Sequence, residues 1–275
     1  MNLRAMIGGC AALAVLGAFG CTTNYGDNPK SNDVDVSSAD IREGALLWDE
    51  WWTVNGKAEP TDTFPLYAKT NGTQTGSTTW RCQECHGWDY RGSEGEYASG
   101  PHFTGVAGVF DRVATRTNQE LIDVITNGTP PASGGSALTG TDHAFSSMLG
   151  TVDIEALVHF LRNGLVDTTA LIGADGRATG DATAGAALYA ASSPDPHAVV
   201  GECALCHGTD GKTLDTGAPG TPVFLGAIAN TEPWQTLHQT RWGVPGSSMP
   251  SVVNAGIPTD AQSDLLAYLQ TLPAQ

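Results

Sequence analysis

Cations are scarce in this chain: 13 Lys and Arg stand against 29 Asp and Glu among 275 residues, a formal net charge of -16. A surface so poor in positive charge excludes nucleic acid as a partner, because phosphate contacts require a basic face. Acidity of this degree keeps a protein soluble and steers it toward basic docking surfaces. Aromatic residues are also few, at 7%, whereas 34 Gly and 15 Pro punctuate the chain. That balance excludes long uninterrupted elements and predicts short helices joined by long irregular loops, with cores that need something besides side chains to fill them. Long apolar runs are missing too. The run from Ala11 to Phe19 is too short to span a bilayer, and no later segment spans one.

What the N-terminus does have is an export pattern over residues 1–20: Arg4 as the positive end, then the short apolar run. Its removal takes one cation and no acid, leaving 12 Lys and Arg against 29 Asp and Glu, or -17. Cys21 follows Ala18-Phe19-Gly20, which resembles a bacterial lipoprotein signal. The resemblance implies lipidation of Cys21 and a membrane anchor rather than a span, on the periplasmic or outer-envelope side, with ordinary signal cleavage as the alternative. Residues 21–37 are polar and read as a flexible tether. Two modules of about 100 residues fit in what remains, at 38–170 and 171–275.

Of six cysteines, Cys10 lies in the signal and Cys21 at the lipidation position. The other four fall as Cys82-Gln83-Glu84-Cys85-His86 and Cys203-Ala204-Leu205-Cys206-His207. Each is the Cys-x-x-Cys-His spacing of covalent haem attachment, in which two thiols bond to the porphyrin edge and the next histidine ligates iron. Zinc would require four ligands and leaves the histidine after each pair unexplained. Fifteen residues after each histidine a Pro-x-Phe-x-Gly pattern recurs, at Pro101-His102-Phe103-Thr104-Gly105 and Pro222-Val223-Phe224-Leu225-Gly226, which indicates an internal duplication.

On these motifs the sequence resembles class I cytochromes c, as two tandem copies over residues 38–275. The resemblance implies an all-α fold of two cytochrome-c-like domains with long irregular loops, and two haem c groups. It implies His86 and His207 as proximal iron ligands. It also implies that the carbonyls of Pro101 and Pro222 accept a hydrogen bond from those histidines.

Helical spacing supports this order. Ser38 can cap a helix carrying Ile41, Ala45, Trp48 and Trp52 on one face, and the second copy repeats it at Ala182, Gly185, Ala186 and Tyr189. Gly44 precedes Trp48 by four, as Gly185 precedes Tyr189, so each helix offers a notch for a close crossing. The expected partners are closing helices with stripes Ile154, Leu157, Val158, Leu161, Leu165 and Leu265, Tyr268, Leu269, Leu272. Capping boxes are expected at Thr117 with Glu120 and at Thr259 with Gln262.

In the second copy Met249 occupies the loop where the family places its distal methionine. The first copy has an insertion holding both His143 and Met148. Met249 precedes Tyr268 by nineteen residues, His143 precedes Phe160 by seventeen and Met148 by twelve, which favours His143 as the distal ligand with Met148 as the alternative. His102, His159, His197 and His238 read as surface or structural histidines.

Two six-coordinate irons suit electron transfer between redox proteins outside the cytoplasm. The rival readings are a diheme peroxidase-like or sulfur-oxidising enzyme, and an electron-transfer subunit of a larger oxidoreductase. A thiosulfate-oxidising enzyme of this kind needs a distal cysteine, and neither distal loop has one. No catalytic residue is assigned. The segment from 53 to 80 has no role that the sequence discloses.

Overall fold

Asp40 opens the first helix. Its carboxylate accepts from the amides of Arg42 and Glu43 at 2.9 and 3.3 Å, and α1 runs Ile41–Val54. Ser38, the cap expected from sequence, lies two positions outside, because Asp40 is the residue with extended backbone beside the first free amides. The structure is a computed structural model and describes residues 33–128, 141–190, 203–215 and 222–275.

The described residues are all-α, with only two isolated antiparallel bridges, Gly92 to Ala107 and Ile172 to Ala178. After α1 come α2 (Cys82–His86), α3 (Phe110–Val113), α4 (Asn118–Asn127) and α5 (Thr151–Asn163). Then follow α6 (Ala182–Tyr189), α7 (Cys203–His207), α8 (Leu225–Thr231), α9 (Pro233–Trp242) and α10 (Thr259–Leu269). None of these is long and apolar enough to cross a membrane.

Two helix crossings organise the chain, and glycine makes both. A Cβ on Gly44 would collide with the Ala156 carbonyl and reach 2.8 Å from the Phe160 Cβ, so α1 and α5 touch backbone to backbone. A Cβ on Gly185 would collide with the Asp264 carbonyl and reach 2.9 Å from the Tyr268 Cβ, which sets α6 on α10 in the same way. An aromatic pair flanks each notch: Trp48 and Phe160 at 6.0 Å, Tyr189 and Tyr268 at 5.1 Å. Each crossing lies in its own hydrophobic cluster, the first built on Trp48, Trp51, Leu157 and Phe160, the second on Leu188, Tyr189, Leu265 and Leu269.

The Thr117–Glu120 capping box is present in both directions, and α4 ends on Gly128 at φ 67. The second expected box is not. Thr259 is the first helical residue after Pro258, and no side chain caps α10. Gln262 instead turns inward, accepting from the buried Arg241 and donating from Nε2 to the Ile257 carbonyl at 2.8 Å. A guanidinium at 4% exposure needs acceptors more than a helix end needs a cap.

Helix α9 belongs by sequence to the second half and packs against both, with Leu237 in the second cluster and its other face on the first. Trp242, at 1% exposure, joins the first cluster, edge-on to Phe160 at 5.8 Å. His238 is equally buried. Its Nε2–H donates to the Ala45 carbonyl at 3.1 Å, so its Nδ1 accepts from the Tyr90 hydroxyl at 3.0 Å. Arg241 donates to the Gly164 carbonyl at 3.0 Å, and Gln239 to Asp49 at 3.2 Å. The two halves thus share a wall.

Candidate functional site

The first motif is the five-residue helix α2, ended by Gly87 at φ 78. Cys82 and Cys85 pack against the first cluster, and burial pushes both thiols up to about 12. The chain then loops back, and the bridge from Gly92 to Ala107 brings the Ala107 carbonyl to 3.1 Å from His86 Nδ1. A carbonyl only accepts, so Nδ1 carries the proton and Nε2 keeps its lone pair for a metal.

Pro101 does not fill this role. It is exposed, and its carbonyl accepts from Thr73 Oγ1 at 3.2 Å and Gln74 Nε2 at 3.5 Å. The 53–80 segment takes that carbonyl, and the loop from 102 to 107 carries a later one to the histidine. Sequence reasoning missed Ala107 because any residue supplies a carbonyl. The available hint was Gly92 and Gly108, whose Cβ atoms would press on this crossing.

His143 faces His86. Their ring centroids lie 6.2 Å apart with planes at 79°. An imidazole nitrogen sits about 2 Å from the metal it ligates, and the centroid about 1 Å further back, so two rings sharing one metal stand roughly 6 Å apart. His143 Nδ1 is 3.4 Å from the Val124 carbonyl, which again leaves Nε2 free. Burial, followed by the neighbouring His143, holds His86 down at about 4, and burial lowers His143 as well. Both rings are neutral near pH 7, as metal ligands must be. Met148 sits half-buried against the first cluster, its carbonyl accepting from Asn55 Nδ2 at 3.2 Å and from Lys57.

Trp48 completes the pocket, 5.8 Å from the His86 ring, with its Nε1–H buried and without a hydrogen-bond partner. A donor in that state fits a bound group bringing an acceptor of its own, such as a porphyrin carboxylate. The 53–80 segment closes the other side. Tyr67 donates to the fully buried Glu84 at 3.0 Å, and Trp80 packs at a tilt on Phe64, centroids 4.6 Å apart, while donating to the Asp62 carbonyl at 2.6 Å. Glu84 also holds His102 Nδ1 at 3.0 Å, with His102 stacked on Tyr97 at 4.9 Å. The hydrogen bond to Glu84 raises the His102 pKa. His159 donates to the Ala39 carbonyl at 2.7 Å and is structural, whereas His197 lies outside the described residues.

The second motif, α7, is more open. Cys203 packs against the second cluster and burial raises its thiol, Cys206 is exposed, and Leu205 is 75% exposed. Burial lowers the His207 pKa, and Tyr189 ties the turn by donating to the Gly208 carbonyl at 2.6 Å. Pro222 is exposed, and no hydrogen bond joins it to His207 among the described residues. Met249 is half-buried in the loop after α9 and packs in neither cluster, its carbonyl held by Arg42 at 3.2 Å. Cys21 lies outside the described residues.

Among the described residues no three His, Cys, Asp or Glu side chains converge as metal ligands, which counts against the two cysteine pairs pooling around zinc. Two opposed histidines beside two thiols fit haem c, whose ring supplies the remaining ligands. Comparison with protein-family models, with curated proteins and with solved structures found no match to this chain.

Proposed function

We propose that this chain is a diheme c-type cytochrome of two tandem cytochrome-c-like domains that transfers electrons between redox proteins outside the cytoplasm. The observation that carries the reading is His143 standing 6.2 Å across from His86, beside the attachment pair Cys82 and Cys85. Haem c, when bound, supplies a one-electron couple at iron. The chain supplies its surroundings. Cys82 and Cys85 would hold the first group by thioether bonds, and His86 and His143 would supply its protein nitrogens. Cys203, Cys206, His207 and Met249 would hold the second.

The Ala107 and Val124 carbonyls fix the proton on each Nδ1 of the first pair, which orients both rings and makes them better donors to metal. Trp48, Phe145 and Tyr90 exclude water around them. If His86 and His143 both hold the group, the first site would leave no place for peroxide. His143 is one of the two histidines that could handle protons for a peroxidase, and in this reading it is taken up as a ligand; the other, His102, is held through Nδ1 by Glu84. The use of His143 favours the carrier over the enzyme. Two histidines give a lower potential than histidine with methionine, so electrons would run from the first domain to the second. An N-terminal lipid on Cys21 would keep the carrier at the membrane surface, which mass spectrometry of the mature N-terminus tests.

Low-temperature electron paramagnetic resonance with near-infrared magnetic circular dichroism of the oxidised protein tests the function. The expected result is two low-spin haems, one bis-histidine and one histidine–methionine, both indifferent to peroxide and sulfur oxyanions. A high-spin haem that binds or turns over either compound refutes the carrier reading.

A further inference from the structure

The loop bearing Met249 does not rest on its own domain alone. Arg42, on the second residue of α1 in the first domain, reaches across with one guanidinium to two carbonyls that bracket the loop. Nε donates to Trp242 at 2.9 Å and Nη2 to Met249 at 3.2 Å. A planar fork of this kind fixes the distance between its two acceptors, as a single ammonium cannot.

The backbone between those carbonyls is shaped around the fork. Gly243 lies at φ +96, and a Cβ there would come within 2.7 Å of both Arg42 Nη2 and the Met249 carbonyl. Only glycine combines that conformation with that clearance. Three residues on, Gly246 lies at φ +71, where a Cβ would come within 2.7 Å of Thr53 Cγ2, near the other end of α1. Helix α1 therefore backs the loop at two points about three turns apart, and the loop has a glycine at each. Arg42, Met249, Ser251 and Asn254 also line a common surface recess, so the guanidinium is approached by the loop on more than one side.

We infer that Arg42 is a positioning residue for the second haem's distal ligand: the first domain, through its guanidinium, holds the Met249 main chain and so sets where its thioether can lie. This rests on the reading of Met249 as that ligand. Loss of the fork would let the loop swing, and the methionine would be displaced more easily from ferric iron. The first haem, whose ligands are anchored to Ala107 and Val124, would not feel the change.

The test uses the full-length holoprotein, three variants and, as a control on the ligand, Met249→Ala. Arg42→Met keeps the stem and removes the fork, Arg42→Lys keeps the charge and loses the two-point geometry, and Gly243→Ala leaves Arg42 intact but intrudes on its contact. The readouts are the thioether-to-ferric charge-transfer band, the potential of the second haem, and the affinity of added imidazole for that haem. All three variants are expected to weaken the band, lower the second potential and bind imidazole about tenfold more tightly, the change that one charge-assisted hydrogen bond represents. The first haem's spectrum is expected to stay as in the wild type, which also reports that the fold is intact. Variants with that intact first haem but a wild-type band and imidazole affinity overturn the inference. A wild-type band that survives Met249→Ala overturns the ligand assignment and the inference together, so the two failures are told apart.

Discussion

His86 and His143 present their rings to each other at 79° with centroids 6.2 Å apart, and each ring is held from behind by a main-chain carbonyl, Ala107 for one and Val124 for the other. The anchors come from different elements, the loop before α3 and the helix α4. The placement of the two rings is therefore a property of the folded backbone. Burial favours the neutral form of both rings, the form in which an imidazole can ligate a metal.

Exchanging the ligand tests this directly. His143→Met should raise the potential of the first haem and give it a histidine–methionine spectrum, whereas Met148→Leu should leave both unchanged. Potentiometric titration followed by magnetic circular dichroism reads the difference. A first haem that responds to Met148→Leu and ignores His143→Met would transfer the distal role to Met148.

Much of this site was legible in the sequence because it depends on side-chain identity at fixed spacing. The Cys-x-x-Cys-His motifs, the count back from Phe160 to His143, and the glycine four residues before each helix aromatic all carry local chemistry. The features that were not legible are main-chain or long-range. Ala107 is chosen by a bridge to Gly92, and no side chain marks it. Arg42 acts on a carbonyl more than 200 residues away, at a separation of 207. The expected box at Thr259 failed because Gln262 answers to a buried arginine from another helix, which local propensity cannot register.

Moving the acceptor of His86 should matter where replacing Pro101 does not. A Cβ on Gly108 would collide with the Arg91 and Tyr90 main chain, so Gly108→Ala has to push the Ala107 carbonyl away from the ring. The variant should lower the stability by about 1–3 kcal/mol and shift the first haem's potential upward, as His86 becomes a poorer donor. Pro101→Ala, on the exposed surface, should leave the potential where it was. Equal shifts in the two variants would return the role to Pro101.

The two helix notches make a paired stability test. Gly44→Ala and Gly185→Ala each place a methyl inside a backbone carbonyl's contact distance, so each should cost about 1–3 kcal/mol or more through overpacking, offset only slightly by better helix propensity. Denaturant titration should show lower midpoints. The clusters are separate, so the double variant should be close to additive. Gly44→Ala should also perturb the first haem through Trp48, and Gly185→Ala the second through Tyr189. A tolerated alanine at either site would mean that the helices cross further apart than their contacts indicate.

Acid should loosen the shared wall between the halves. Burial holds His238 down at about 4, against an ordinary 6.5. In the unfolded chain that histidine takes up its proton near 6.5, and in the folded chain it stays neutral until about 4. Below 6.5 the unfolded state binds more protons, so stability present at neutral pH is lost as pH falls through that window, by at most about 3 kcal/mol from this residue. The neutral ring is also the one that both partners require, since Nδ1 accepts from Tyr90 while Nε2 donates to Ala45. Replacing it as His238→Gln should lower stability at pH 7 by about 1–3 kcal/mol for disturbed buried hydrogen bonds and flatten the slope between pH 6.5 and 4. Unfolding curves at several pH values compare the two slopes. An unchanged slope in the variant would mean that other groups carry the acid sensitivity and that α9 is not where low pH first opens the protein.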